Sequence, residues 1–409
     1  MTLRGPGAIG GNVTRKLAKS LISAILTLIV LEGAVRLSNL DRRILDDPFA
    51  RGPVLFQMFI PDPYLLWRNR PHMQLPWAPG VRLNARGLRG NEVAPRKTPG
   101  VRRIAVLGDS CTFGVLATGV GRFEAPRPYP EVLQELLDGS QGRGRYQVIN
   151  YGTLGYTSFH GLRMLRREAL PDAPDVVLIR FGWNDHLASP LARGVASPHS
   201  PWREGLLDLL YRSRLAGLLL YRAVPVMAIS RLGDWTPSAR PIVWVSPAEY
   251  AWNLSRMIDL SRAQGARPIL LDSPPGPLTP EIRANVNFLR GTGYATFGQV
   301  LAAHERYQAI AERVAREKGV PLLKTAPSPA RAPAYFSPFD LPHPNEAGQD
   351  RIARIVHAEI VRRLAPSGRR RSGLQASSGT VRWGVRSRPG ASPLGPPRRR
   401  CVGTPCWNS

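Results

Sequence analysis

The sequence predicts an α/β protein, a three-layer α/β/α sandwich around a central parallel sheet of about five strands. Two observations carry this. Short buried-looking runs, Ile104–Leu107, Gln147–Asn150, Asp175–Arg180, Pro268–Asp272 and Val320–Lys324, alternate with stretches of helical spacing. That rhythm is how a parallel sheet covers both of its faces with helices. The first three runs also end in glycine or polar groups: Gly108-Asp109-Ser110, the turn Tyr151–Gly155, and Gly182-Trp183-Asn184-Asp185. Open α/β sheets bind ligands at the carboxyl ends of their strands.

In chain order, the first 20 residues carry Arg4, Arg15, Lys16 and Lys19 and no acid. An apolar run follows over 21–37, uncharged from Ser20 to Leu31. A membrane span needs about 20 residues, so this one is marginal and must take Glu32 at the interface. A secretory signal has the same pattern, but no small-x-small cleavage site follows. The expectation is an uncleaved anchor over 20–37, with a cleaved signal and an ordinary amphipathic helix as the alternatives. N-terminal positive charge favours a cytoplasmic N-terminus and an outward-facing remainder; Arg36, Arg42 and Arg43 weigh against that orientation.

Residues 38–100 hold short apolar pieces, prolines and turns, as in 61–71 and 81–92. They read as an N-terminal extension packed on the main domain, or as a structured linker. The main domain spans 101–364. Residues 112–122 read as a loop, Pro130–Leu137 as a helix, and Ser158–Leu170 as helical. Residues 186–245 form a helical insertion, whose strongly apolar segment 204–230 is helical up to Pro225. It suits a lid, a membrane-lying element or a packed insertion. Pro247 opens a helix that runs to Ala263. A long helix covers Gly298–Lys318. The closing helix, Glu346–Leu364, lines Ile352, Val356 and Ile360 along one face.

The formal charge of +27 invites a nucleic-acid reading. Its distribution argues otherwise. Nine arginines lie in 366–409, which has no acid and is rich in Gly, Pro and Ser. Such a tail packs no core and is predicted disordered. No zinc-finger spacing or RNA-binding aromatic motif is present, so no specific nucleic-acid partner is expected. The basic surface suits anionic lipid or polymer. The three cysteines, Cys111, Cys401 and Cys406, imply neither a disulfide framework nor a metal site, and no cofactor is expected.

The strand ends and one late loop together form a chemical set. Ser110 becomes a nucleophile only when a base takes its proton. His343 titrates near neutrality and can be that base. Asp340, three residues earlier, can fix the imidazole tautomer. The N–H groups of Ser110 and Gly155 and the amide of Asn184 are candidate oxyanion donors. The plainer readings are Asp109 as a helix cap, Asp185 as a brace for the Asn184 loop, Trp183 as packing, and Asp340 and His343 as caps of the last helix. His160 and His186 lie near these blocks without an assigned role.

The sequence resembles the SGNH hydrolases, also called GDSL-type esterases or lipases. Gly108-Asp109-Ser110 matches the family's nucleophile block. Residues 150–158 match its glycine block, with Gly155 the better candidate and Gly152 second. Residues 182–185 match Gly-x-Asn-Asp, and 340–348 contain Asp-x-x-His. The resemblance covers 101–364. Residues 81–100 are also similar to the Asn-x-x-Gly-x-Arg-Gly lead-in of bacterial membrane-anchored members. Cys111 stands where a bulkier residue is usual. The resemblance implies a flavodoxin-like layering and an ester hydrolase with catalytic Ser110, Asp340 and His343 and an oxyanion hole of Ser110, Gly155 and Asn184. It implies a small-molecule or glycan ester as substrate and an acyl-serine intermediate. The expected location is a bacterial inner membrane, single-pass, with the catalytic domain periplasmic or extracellular. Two alternatives share the fold: an O-acetyltransferase or deacetylase of envelope glycans, and a non-catalytic carbohydrate-binding envelope protein.

Overall fold

The computed structural model describes residues 10–39, 54–187, 201–223 and 243–364. The expected disordered tail after 364 lies outside them, as do Cys401 and Cys406.

The first helix, α1 (Gly10–Ser38), is apolar on every side from Leu21 to Leu31, where its side chains are exposed. Over Thr14–Ser38 it is long and apolar enough to cross a membrane. Two short antiparallel strands follow, β1 (Phe59–Asp62) and β2 (Leu66–Asn69). Asp62 Oδ1 closes their turn by accepting from the Tyr64 and Leu65 N–H groups, both at 2.8 Å.

The main sheet begins with β3 (Arg102–Gly108), which leads directly into the one-turn helix α2 (Ser110–Phe113). The segment expected as a loop instead folds into an antiparallel pair, β4 (Leu116–Gly119) and β5 (Arg122–Glu124). Gly121, at φ +69°, supplies the left-handed residue this tight connection needs. Next come α3 (Tyr129–Gln141) and β6 (Tyr146–Asn150). The sequence places the end of α3 four residues early; the helix continues through Gly139 and stops at Gly142, φ +95°. Helix α4 (Ser158–Met164) passes into a single π turn at Leu165–Ala169, where the Leu170 N–H bonds the Leu165 carbonyl. Strand β7 (Val176–Arg180) is buried along its whole length.

Among the described residues of the apolar insertion there are two helices, α5 (Pro201–Arg212) and α6 (Arg214–Ala223), broken at Ser213. Apolar composition alone gives no sign of that break. Its cause is Glu32 of α1. The carboxylate accepts from the N–H groups of Arg214 and Leu215, each at 2.9 Å, and from the Ser213 hydroxyl at 2.7 Å. It thus caps a helix 180 residues away, satisfying donors that have no partner within α6. Pro225, the expected helix stop, lies outside the described residues.

Helix α7 (Pro247–Ala263) opens with a capping box, in which Ser246 Oγ accepts from the Glu249 N–H and Glu249 reaches back to the Ser246 N–H. Strand β8 (Arg267–Leu271), helix α8 (Phe297–Lys318), the two-residue strand β9 (Leu322–Leu323) and helix α9 (Glu346–Leu364) complete the sandwich.

All four strand pairings of the sheet are parallel, in the order β6-β3-β7-β8-β9. From β3 the chain steps to one side, then returns past it. The switch point therefore falls between β3 and β7, where a doubly wound sheet opens its ligand crevice. Ala105, Leu107, Val177, Ile179 and Leu270 face a core shared with α4, α7 and α8. The alternate residues, such as Val106 and Leu178, are equally buried on the opposite face. On that side α3 meets α9, with Ser140 Oγ 2.7 Å from His357 Nε2. Met58, Trp67, Leu75, Leu83 and Leu88 join the first core, so residues 58–88 pack as part of it.

Candidate active site

Both flanks of the switch point carry site residues: Ser110 follows β3 and Asn184 follows β7. Gly108 ends β3 where nothing larger fits, since a Cβ there would stand 2.0 Å from Thr112 Oγ1. The chain then turns sharply, and Asp109 caps α2 by accepting from the Cys111 N–H at 2.9 Å. Asp109 is fully buried, and burial pushes its carboxyl above the usual range against the pull of Arg180. Arg180, the last residue of β7, is itself fully buried and donates from Nε to the Asp272 carbonyl at 3.1 Å.

The structure brings Ser110, His343 and Asp340 together. His343 Nε2 lies 2.7 Å from Ser110 Oγ. His343 Nδ1 lies 2.8 and 2.9 Å from the two oxygens of Asp340. A carboxylate only accepts, so Nδ1 carries the hydrogen and Nε2 turns its lone pair to the serine. Asp340 is held in turn by the backbone N–H groups of His343, at 3.0 Å, and of Ala117 in β4, at 2.6 Å. Burial alone would lower the His343 imidazole. The Asp340 charge and hydrogen bonds outweigh it, Asp109 adds to them, and the ring sits above its ordinary value.

Asn184 donates from Nδ2 to the Tyr156 carbonyl at 2.9 Å, which fixes the amide and leaves its second hydrogen for a ligand. Gly155 has φ +77°, and a Cβ there would come within 3.2 Å of the Trp67 ring. Trp67 Nε1 donates to the Leu154 carbonyl at 3.1 Å, so β2 braces the glycine loop. Among the described residues, no acceptor meets the N–H of Ser110 or of Gly155. Gly152 is turned elsewhere; its N–H bonds Asn150 Oδ1 at 2.9 Å.

The neighbouring residues have structural duties. Asp185 Oδ1 accepts from the Ser158 N–H and hydroxyl, at 2.9 and 2.5 Å, tying the Asn184 loop to α4. Burial raises its carboxyl to about 7. Trp183 stacks on His304 at 3.8 Å and is packing. His160 completes the capping box of α4 and stacks on Tyr156. Cys111 is buried, with Sγ 3.2 Å from the Pro342 carbonyl, and burial pushes its thiol well above the usual range.

Three supports escape sequence reasoning. Arg89 sends Nη1 to the Phe113 and Gly114 carbonyls, at 3.0 and 2.9 Å, and Nη2 to those of Ala125 and Pro126, at 3.1 and 3.0 Å. Gln349 of α9 bonds both the Tyr129 N–H and the Cys111 carbonyl. Arg180 carries the charge that pulls on the Asp109 carboxyl. Arg89 had a signal, as the arginine of the Asn-x-x-Gly-x-Arg-Gly lead-in. Gln349 had none.

The sequence profile of the GDSL-like Lipase/Acylhydrolase family matches residues 106–351. The chain belongs to that family. Among solved structures, this GDSL-family chain is similar to a lipase/acylhydrolase from Enterococcus faecalis, at 20% identity over 64% of this chain and 97% of that one, TM-score 0.39. It is also similar to LAE5, an alpha/beta hydrolase from the metagenome of Lake Arreo, at 20% identity over 63% and 94%, TM-score 0.37. A third is Axe2, an acetylxylan esterase from Geobacillus stearothermophilus, at 16% identity over 63% and 94%, TM-score 0.37. No curated protein matches. The GDSL-family chain is a serine hydrolase acting on ester bonds.

Proposed function

We propose that Ser110 is the nucleophile, His343 the general base and acid, and Asp340 the residue that orients it. The observation carrying this is the unbroken chain Ser110 Oγ–His343 Nε2 and His343 Nδ1–Asp340, with every link at 2.9 Å or less. Ser110 Oγ attacks the acyl carbon and its proton passes to Nε2. The carbonyl electron pair moves onto oxygen, where the Ser110 and Gly155 N–H groups and the Asn184 amide receive it. Collapse expels the alkoxide, which takes the proton from Nε2, and acyl-Ser110 remains. Water then attacks the acyl carbon and gives a proton to Nε2; collapse expels Ser110 Oγ, which takes that proton back, and the free acid leaves. The test is labelling with a serine-directed phosphonate. The expected result is a single adduct on Ser110 that forms only when His343 is present. An adduct on Cys111 overturns the assignment.

We further propose that α1 anchors the enzyme as one of the bacterial membrane-anchored members, its catalytic domain on the outer side of the inner membrane. Support comes from the all-round apolar surface of α1 and the basic residues before it.

A further inference from the structure

Gly155 and Asn184 lie on loops that follow different strands, β6 and β7, yet they are fastened to each other. The stretch Gly155-Tyr156-Thr157-Ser158 joins them twice. The Tyr156 carbonyl takes one hydrogen of the Asn184 amide at 2.9 Å. Two residues on, the Ser158 N–H and hydroxyl both hold Asp185, the chain neighbour of Asn184. The first bond sets the side chain of Asn184. The second pair sets the backbone that carries it.

The Ser158 hydroxyl has a single hydrogen, and Asn253 of α7 decides where it goes. Asn253 Nδ2 donates to Ser158 Oγ at 2.9 Å. An amide nitrogen only donates, so Oγ accepts there and its hydrogen goes to Asp185 Oδ1 at 2.5 Å. The same helix grips the loop a second way. The Val245 N–H donates to the Asp185 carbonyl at 3.0 Å, and α7 begins two residues after Val245.

Stability does not account for this trio. Asn253, Ser158 and Asp185 are all fully buried. Asn253 Oδ1 has no partner among the described residues, and burial lifts the Asp185 carboxyl to about 7, so both groups oppose folding. Apolar side chains of the same shape avoid both costs. What they cannot supply is direction, because a chain of hydrogen bonds specifies one arrangement.

We propose that Asn253 is a positioning residue for the ester reaction: through Ser158 and Asp185 it holds the Asn184 amide in register with the Gly155 N–H, so that one oxygen meets both donors. The proposal rests on Asn184 and Gly155 being oxyanion donors. The register matters most when charge gathers on that oxygen, so the effect belongs in kcat and not in KM.

The test measures kcat and KM of the full chain on p-nitrophenyl acetate. Asn253→Leu keeps the bulk and removes the donor. Ser158→Ala removes the hydroxyl and keeps the N–H on Asp185. Each should lower kcat about tenfold with KM within about twofold, a smaller loss than deleting a donor because the amide is displaced and not removed. The acid limb of the pH profile should keep its wild-type position, since Asp340 still sets His343. The deciding measurement is a double-mutant cycle with Asn184→Ala. In that background neither substitution should cost more than about twofold, because the amide they position is gone. A residue that merely supports the fold would keep its full cost there. Should Asn253→Leu lose its cooperative melting transition, Ser158→Ala decides alone. Full cost in the Asn184→Ala background, wild-type kcat in both single variants, or a displaced acid limb overturns the positioning role alone. Wild-type kcat in Asn184→Ala itself overturns the oxyanion reading, and this role with it.

Discussion

The half-buried His343 and the buried His186–His304 pair are imidazole sites of one domain, and they are built for opposite ends. His343 has a carboxylate on Nδ1 and a hydroxyl on Nε2. His304 Nε2 meets the Ser273 carbonyl at 2.6 Å, its Nδ1 meets His186 Nε2 at 3.1 Å, and Trp183 covers its face. No carboxylate bonds either ring of the pair among the described residues. A carbonyl only accepts, so His304 donates from Nε2 and accepts at Nδ1, and His186 donates to it. Both rings are held neutral. Burial pushes His304 down to about 4 and His186 well below its ordinary value, while His343 stands above its own. The contrast teaches that a histidine's role is set by what occupies its second nitrogen. In the proposed mechanism a carboxylate there makes a base, whereas a neutral partner makes a spacer.

The contrast is broken most directly at the chain's two ends. Ser110→Ala and His343→Ala should each lower kcat by about 10⁵-fold or more, and the double variant should lose no more than either single one, because the groups act as a unit. Steady-state hydrolysis of a short-chain acyl ester measures this. Additive losses would separate residues here joined.

Asp340→Asn turns the charged partner into a neutral one and should cost up to about 10⁴-fold in kcat. It also has a pH signature. The base must be neutral to accept the Ser110 proton, so turnover falls as pH drops through the His343 value. Asp340 lifts that value, so the wild-type acid limb should lie above the ordinary 6.5 of histidine, and in Asp340→Asn it should move to lower pH. A limb that stays fixed would deny Asp340 its electrostatic part.

Asn184→Ala should cost about 10²–10³-fold in kcat with little change in KM, the scale of one oxyanion donor. Equal losses in ground-state binding would make the amide a substrate contact instead.

The smallest effect on chemistry belongs to the spacer. His304→Phe leaves the Ser273 carbonyl and the His186 N–H without partners and should cost about 1–3 kcal/mol of stability. Urea melts measure that, while the pH profile of turnover should keep its wild-type acid limb. A displaced limb would bring the pair into the proton chain and erase the contrast.

The strand-borne half of this site was legible because its signals are local. A buried run that ends in Gly-Asp-Ser or Gly-Trp-Asn-Asp announces a strand end, and parallel strands share one edge. Asp340 and His343 were legible because one short loop carries both. Contacts between distant residues were not. Nothing within ten residues of Glu32 shows that it caps α6, and nothing in the apolar run 204–230 marks the break at Ser213. The pair β4–β5 was hidden because three- and four-residue strands lack a period long enough to read. The partners of Gln349 could not be foreseen, since a glutamine on an amphipathic helix looks like surface.

Arg89 has a consequence for how damage to this protein would look. Its guanidinium gathers four carbonyls, two from the turn just past the nucleophile and two from the loop between β5 and α3. It lies outside the stretch that defines the family, which begins at residue 106. The smallest piece that inherits the chemistry is therefore smaller than the smallest piece that can hold it in shape. A lesion at Arg89 would present as a dead enzyme with every catalytic residue intact, and a survey of the family's own blocks would find nothing wrong.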